Sequence, residues 1–121
     1  MVRIKRAYDA PARADGYRVL VDRLWPRGVS KDAARLDAWV RELAPSPGLR
    51  RWFGHDPARF AEFTRRYTQE LRAGPAQAAL ADLTRRAARG AVTLVYGARD
   101  EQHNGAAVLR DLVEDALRTH A

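Results

Sequence analysis

Cysteine is absent from this sequence of 121 residues. Its absence excludes disulfide bonds, thiolate nucleophiles and cysteine-ligated metal sites, and it fits a reducing cytoplasm. Long apolar runs are absent too, since no run approaches the roughly 18 residues that a transmembrane helix needs. The basic start, MVRIKRAYD, is not followed by an apolar segment, so it is not a signal peptide. We therefore expect a cytoplasmic protein without membrane association.

Lysine is scarce, and this bears on how the strongly basic composition is interpreted. The chain has 22 Lys and Arg residues against 15 Asp and Glu residues, a formal net charge of +7. Such an excess favours polyanionic or phosphorylated partners, among them nucleic acids. The only lysines are Lys5 and Lys31, however, which also fits a composition that simply prefers arginine. The charge alone leaves both interpretations open.

Length and composition predict a single domain over residues 1–121. Hydrophobic residues make up 46% of the chain and charged residues 31%, which is typical of a soluble globular protein. The chain is long enough for one compact core. It contains no internal repeat, no low-complexity tract and no linker that would divide it.

Three segments have the patterns of β-strands. Residues 2–8 alternate apolar and basic side chains, as expected of a half-exposed strand. Residues 17–22 and 91–96 have continuous apolar centres, which predicts burial on both faces, as in a parallel sheet. The connection between these two segments is long and helical, so we expect the two strands to be parallel.

Caps and helical spacing predict four helices. Ser30 can cap a helix that continues through Leu43 and ends at Pro45 and Pro47. Three more helices are predicted after Asp56-Pro57, after Gly74-Pro75 and over residues 106–118. These elements predict an α/β fold with a small, mostly parallel sheet of about three strands, flanked by four or so helices.

Two unusual segments follow the two buried strands. The first, DRLWPRG, covers residues 22–28, and the second is the polar loop over residues 96–105. Because parallel strands end at the same edge of a sheet, we expect Arg23, Arg27 and Arg99 to approach one crevice. Guanidinium groups that converge need an anion or a carboxylate between them. The sequence therefore predicts a site for an anionic small molecule at this edge.

Each remaining candidate at this edge has a structural alternative. Asp22 could orient a ligand or shuttle a proton, or it could bond to loop backbone. Trp25 could form a wall of the site or fill the core under the next helix. Asn104 could bind the ligand or act as a plain helix cap. Neither a G-x-G-x-x-G nor a Walker motif is present, so nucleotide binding of a familiar type is not expected.

Histidine supplies a further hypothesis. His55 follows two arginines and an aromatic pair, where it could act as a base or as a haem or metal ligand. The alternative is an ordinary loop histidine. His103 has a similar claim, whereas His120 lies at the chain end and is not expected to take part. No zinc-binding spacing is present, and no metal site is predicted.

Several long motifs carry a family resemblance. They are RVLVDRLWPRGVSK (18–31), LDAWVRELAPS (36–46), LRRWFGHDP (49–57), FTRRYTQEL (63–71) and VTLVYGARDEQHNGAAVL (92–109). In these the chain resembles the YeaO-like branch of the bacterial domain-of-unknown-function family 488. The resemblance implies a small α/β domain and no settled activity. Some other branches carry a cysteine after the last strand, where this chain has Gly97 and Ala98, so thiol chemistry is not transferred.

The resemblance favours a real site, because its signature positions include Asp22, Arg23, Trp25, Arg27, His55 and Asn104. These are polar or aromatic, whereas a motif that served only the core would be mostly aliphatic. Our leading hypothesis is an anionic-ligand site, with Asp22 and His55 as catalytic candidates if a reaction occurs there. The alternatives are a nucleic-acid-binding or regulatory module and a haem- or metal-dependent enzyme that uses His55. The sequence identifies neither a cofactor nor an oligomeric state.

Overall fold

The structure, a computed structural model, describes residues 1–119, so the expectation for His120 lies outside the described residues. Its centre is a sheet in which every strand pair is parallel. The order across the sheet is β1-β4-β2-β3. The strands are β1 (Val2–Arg6), β2 (Tyr17–Leu20), β3 (Ala38–Trp39) and β4 (Val92–Tyr96). The predicted α/β class and parallel sheet are confirmed.

The single helix predicted from Ser30 to Leu43 is wrong. Ser30 does cap a helix, but α1 (Lys31–Ala34) ends after one turn, because Arg35 adopts a left-handed conformation with φ 47°. The chain then forms β3, which pairs with the end of β2. A short 3-10 helix over Arg41–Leu43 follows. The edge strand is therefore built from residues whose spacing alone indicates a helix.

A helix that the sequence analysis did not predict begins where a helix was expected to end. The side chain of Ser46 caps α2 (Pro47–Phe53) by accepting a hydrogen bond from the backbone N–H of Leu49 at 3.2 Å. Proline at the first helical position is favourable, because its missing N–H would have no partner inside the helix. Pro47 therefore starts a helix here.

The other three predicted helices are confirmed. A 3-10 turn over Pro57–Arg59, capped by Asp56, leads into α3 (Phe60–Leu71). The remaining two are α4 (Gly74–Arg89) and α5 (Gly105–Thr119). Helix α3 buries Phe63, Tyr67 and Leu71 on its expected face, with Phe60 half-buried.

Hydrophobic side chains pack on both faces of the sheet, because successive residues of a strand point to opposite sides. The larger cluster joins strand residues such as Val19 and Leu94 to helices α2 to α5. The smaller cluster contains Leu20 and Val95, with Trp25 and Trp39 packed against them. The central strand β4 is buried over its whole length, as its continuous apolar sequence predicts.

A buried ion pair joins the start of β2 to the loop before it. The Arg18 guanidinium donates to Asp15 at 2.7 Å, and the two residues are only 4% and 2% exposed. Lys5 and the backbone N–H of Ala12 also donate to the Asp15 carboxylate, at 3.2 Å and 3.0 Å. Burial raises the pKa of Asp15, but these hydrogen bonds outweigh it and the net shift is downward.

Candidate functional site

A cavity of about 270 Å³ opens where the 22–28 segment and the loop after β4 meet. The two segments lie side by side because β2 and β4 are neighbours in the sheet and run in parallel. Such an edge is the usual ligand position in open α/β sheets. The polar residues that line the cavity are Asp22, Arg23, Arg50, His55, Tyr96 and Asn104.

The Asp22 carboxylate lies in this cavity, held to the opposite segment. Its Oδ2 accepts a hydrogen bond from the backbone N–H of Gly97 at 2.8 Å. A Cβ atom on residue 97 would lie 3.3 Å from that oxygen, so glycine permits the close approach. The Asp22 carbonyl in turn accepts a hydrogen bond from Trp39 Nε1 at 2.7 Å. Asp22 thus bonds to loop backbone and also faces the cavity.

The pKa of Asp22 is raised above its ordinary value because burial disfavours the charged carboxylate. The Gly97 hydrogen bond and the positive charges of Arg50 and His55 oppose this effect without cancelling it. A buried carboxyl group with a perturbed pKa in a cavity is a recognised mark of a functional site.

Arg23 lines the same cavity with an incompletely satisfied guanidinium. Its terminal Nη2 donates a long hydrogen bond of 3.4 Å to the carbonyl of Pro45. Its Nε is buried and has no hydrogen-bond partner among residues 1–119. Leaving a buried charged donor unpaired is unfavourable, so this position of Arg23 lowers the stability of the fold.

Helix α2 and its C-terminal end bring an arginine and a histidine to the cavity. Arg50 lies on the helix, and His55 follows its C-terminal cap, Gly54. Both Gly54 and His55 have left-handed backbones, with φ 54° and 58°. A left-handed conformation is uncommon for a residue with a side chain and is found most often at functional or turn positions. It places the exposed His55 at the cavity rim.

Trp25 serves both of its predicted roles. Its ring packs edge-on against Trp39, with centroids 5.5 Å apart, and its Nε1 donates to the carbonyl of Val29 at 2.6 Å. The same side chain also lines the cavity. Trp25 is therefore a structural side chain whose outer surface is part of the cavity wall.

Asn104 is the cap of helix α5 and lies against the cavity. Its Oδ1 accepts from the Ala107 N–H at 2.8 Å, and its Nδ2 donates to the Asp100 carbonyl at 2.8 Å. Asp100 orders the same loop, since its carboxylate accepts from the N–H groups of Gln102 and His103. These bonds lower the pKa of Asp100 to about 2. Both polar atoms of the Asn104 side chain thus have partners at the start of α5, as expected of a helix cap.

The expected convergence of three arginines at the cavity is wrong for two of them. The side chains of Arg27 and Arg99 are exposed and do not line it. After Pro26 the chain turns through Gly28, with φ 81°, and the Arg27 carbonyl accepts a hydrogen bond from the hydroxyl of Tyr8, which follows the end of β1. Arg99 lies in the outer part of the polar loop. Arg23 alone of the three reaches the cavity.

Arg50 lines the cavity where Arg27 and Arg99 were expected, although it was not among the candidates from the sequence. The signal was present in Ser46-Pro47, a cap followed by a first-turn proline, the same signature that predicted the start of α3 at Asp56-Pro57. Recognising a helix there would have put Arg50 and His55 at one end of it. The same helix also contributes Phe53 to the apolar part of the cavity wall.

Two further features of the described residues bear on the metal and membrane hypotheses. Among residues 1–119, no group of three or more His, Asp or Glu side chains is arranged to hold a metal ion. None of the helices in that part of the chain is both long enough and apolar enough to cross a membrane.

Comparison with known proteins places the whole chain, residues 1–121, in a family described as the inactive DUF488-N3 subclade. The chain is similar to the uncharacterized protein Rv3073c of Mycobacterium tuberculosis, at 45% identity over 112 residues, which cover 93% of this chain and 92% of that protein. It is also similar to the uncharacterized protein YeaO of Escherichia coli, at 40% identity over 111 residues, or 91% and 94% of the two chains. No solved structure matches it.

Proposed function

The chain belongs to the inactive DUF488-N3 subclade, and we propose on this premise that its cavity binds a small anionic molecule without transforming it. Membership confirms the resemblance that the sequence motifs predict. The subclade's description favours binding over catalysis, so Asp22 and His55 act in this proposal as binding groups. The chain also lacks cysteine, which removes the most reactive side-chain nucleophile from consideration.

The presence of two arginine side chains, Arg23 and Arg50, on one small cavity is the observation that carries the proposal. The guanidinium of Arg23 makes one long hydrogen bond within residues 1–119, so an anion in the cavity would give it a charge-assisted partner. His55 lies on the same cavity and has ring nitrogens that can donate to an anion. The amino-terminal end of α5, which begins at Gly105 on the cavity wall, adds a favourable dipole for an anion.

The size of the cavity limits the ligand. Pockets for drug-sized molecules usually measure about 300–1,000 Å³, and this one measures about 270 Å³. We therefore expect a small anion, either a phosphate ester or a carboxylate with few heavy atoms.

The test is thermal unfolding with a panel of inorganic phosphate, small phosphate esters and small carboxylates. A bound anion raises the melting temperature, because a ligand at 100 times its Kd stabilises the native state by about 2.7 kcal/mol. We expect at least one member of the panel to do so in the wild-type protein. The added compound should be recovered unchanged after prolonged incubation.

Matched variants show where the anion binds. Arg23→Ala should abolish the shift, and Arg50→Ala should reduce it. Arg27→Ala and Arg99→Ala remove the same charge from exposed positions outside the cavity and should leave the shift intact. Equal losses in all four variants would indicate a general charge effect and would contradict the proposed site, as would a panel that shifts nothing.

A further inference from the structure

We infer that the ligand carries a hydroxyl or ammonium group close to its anionic group, and that Asp22 accepts a hydrogen bond from it. This inference rests on the proposed function and identifies the class of ligand. It comes from the unequal use of the two carboxylate oxygens of Asp22.

Only one of these oxygens has a partner. Oδ2 accepts from the Gly97 N–H, while Oδ1 has no hydrogen bond from any group in residues 1–119. A carboxylate has about four acceptor positions on its two oxygens, so Asp22, which lines the cavity, keeps unused acceptor capacity. Arg50 lines the same cavity and lies close enough to Asp22 for its positive charge to oppose the upward pKa shift of that carboxyl group.

A simple anion would use only the cationic part of this arrangement. It would pair with Arg50 but would also place a second negative charge near the Asp22 carboxylate, which is repulsive. A ligand that turns a hydroxyl or ammonium group toward Asp22 replaces that repulsion with a charge-assisted hydrogen bond. Asp22 and Arg50 line one small cavity and interact electrostatically there, so the two ligand groups must be only a few bonds apart.

The apolar surface of the cavity fits a short carbon segment between the two polar groups. Pro26 and Phe53 contribute to the wall together with the outer surface of Trp25. These side chains offer no polar group to a third ligand substituent. The expected ligand is thus a short phosphate ester or carboxylate with one neighbouring donor.

Isothermal titration calorimetry with three matched phosphate esters tests this inference. Ethyl phosphate, 2-hydroxyethyl phosphate and 2-aminoethyl phosphate differ only in the group at the second carbon. We expect the wild-type protein to bind the hydroxyl and amino compounds about tenfold or more tightly than ethyl phosphate, as a hydrogen bond to a charged group allows. Acetate, glycolate and glycine form the matched carboxylate series.

Asp22→Asn is the informative variant. Its amide oxygen can keep the Gly97 hydrogen bond, which turns the amide NH₂, a donor, toward the cavity. Ethyl phosphate should then bind at least as tightly as it does to the wild type, and the preference for the hydroxyl and amino compounds should disappear. Asp32→Asn, at an exposed position on α1, removes the same charge and should keep the wild-type preference.

The outcomes separate the two proposals. Equal affinities for all members of both series in the wild type would overturn this inference and leave anion binding in place. A preference that survives Asp22→Asn would also overturn it. If neither series nor inorganic phosphate binds the wild type, the proposed function fails, and this inference fails with it.

Discussion

At the scale of a single residue, Asp22 holds a carboxyl group at a position where its charge lowers the stability of the fold. The group is half-buried beside Gly97, and this burial raises its pKa. A group that binds a proton more readily in the folded protein than in the unfolded chain makes stability fall as pH rises between the two pKa values. Above that range the protein carries the whole cost of a buried charge. Such a cost is common where a side chain is retained for binding.

We therefore predict that Asp22→Asn stabilises the protein at neutral pH. The neutral amide removes the buried charge and keeps the hydrogen bond from Gly97. The gain in melting temperature should shrink as pH falls and should vanish below the ordinary pKa of the carboxyl group, where wild-type Asp22 is also neutral. Differential scanning calorimetry over a pH series measures this, with Asp32→Asn as the exposed control. A lower melting temperature for Asp22→Asn at neutral pH would contradict the prediction.

Some of the cavity residues were identified from the sequence, and others were missed. Asp22 and Arg23 were found because DRLWPRG follows a buried strand, and strand ends in a parallel sheet share an edge. The same reasoning fails for Arg27, because the direction of a chain after a turn depends on backbone angles such as that of Gly28. Arg50, which lines the cavity instead, could have been found from the capping signal at Ser46-Pro47 that starts its helix.

Elements of this fold were predictable where the hydrophobic pattern and the capping signals agreed. Helix α3 has both, with Asp56-Pro57 before it and an aromatic face along it. The region from Ser30 to Leu43 has helical spacing, but α1 ends at Arg35, and the next residues form β3. Tertiary pairing with β2, supported by the bond from Trp39 to Asp22, outweighs local periodicity there.

The buried ion pair between Asp15 and Arg18 ties the start of β2 to the segment before it. Asp15→Ala leaves the Arg18 guanidinium buried without its carboxylate, and removing one partner of a buried pair typically costs about 3 kcal/mol or more. Urea unfolding should show a loss of that size, and Asp15→Asn should lose less because it keeps hydrogen bonding. Asp32→Ala serves as the exposed control.

The pH dependence of the same pair has the opposite sign to that of Asp22. The folded-state pKa of Asp15 is lowered, so its contribution is present above the ordinary pKa and is lost as pH falls through the folded value. A loss below about 1 kcal/mol for Asp15→Ala, the value of a surface ion pair, would show that the pair does not support the strand.

The whole molecule is strongly basic, but many of its arginine side chains form ion pairs with nearby carboxylates. Arg59, Arg65, Arg66, Arg85 and Arg86 each form an ion pair with an acidic residue three or four positions earlier on the same helical segment. Some of these arginines also lie over aromatic rings, among them Arg66 over Trp52 at 4.4 Å and Arg86 over Tyr17 at 4.2 Å. Surface ion pairs of this kind add little stability, but each one neutralises part of the positive charge at its own position.

We accordingly predict weak, non-specific binding to nucleic acid. Affinity for a duplex oligonucleotide should fall steeply with salt and be negligible at about 0.15 M ionic strength, because it reflects phosphate contacts alone. Fluorescence anisotropy over a salt series measures this. Arg23→Ala, which lies in the cavity, should leave it unchanged. Tight binding that persists at physiological salt would favour the nucleic-acid-binding alternative instead.

The central position of β4 has a consequence for how the chain is made. Strands β1 and β2 both pair with β4 and not with each other. During synthesis, β1 therefore leaves the ribosome long before β4, the strand it pairs with. The sheet cannot form fully until residues 92–96 have emerged. A chain truncated before Val92 would expose unpaired strands and would also lack Gly97, the group that holds Asp22 in place.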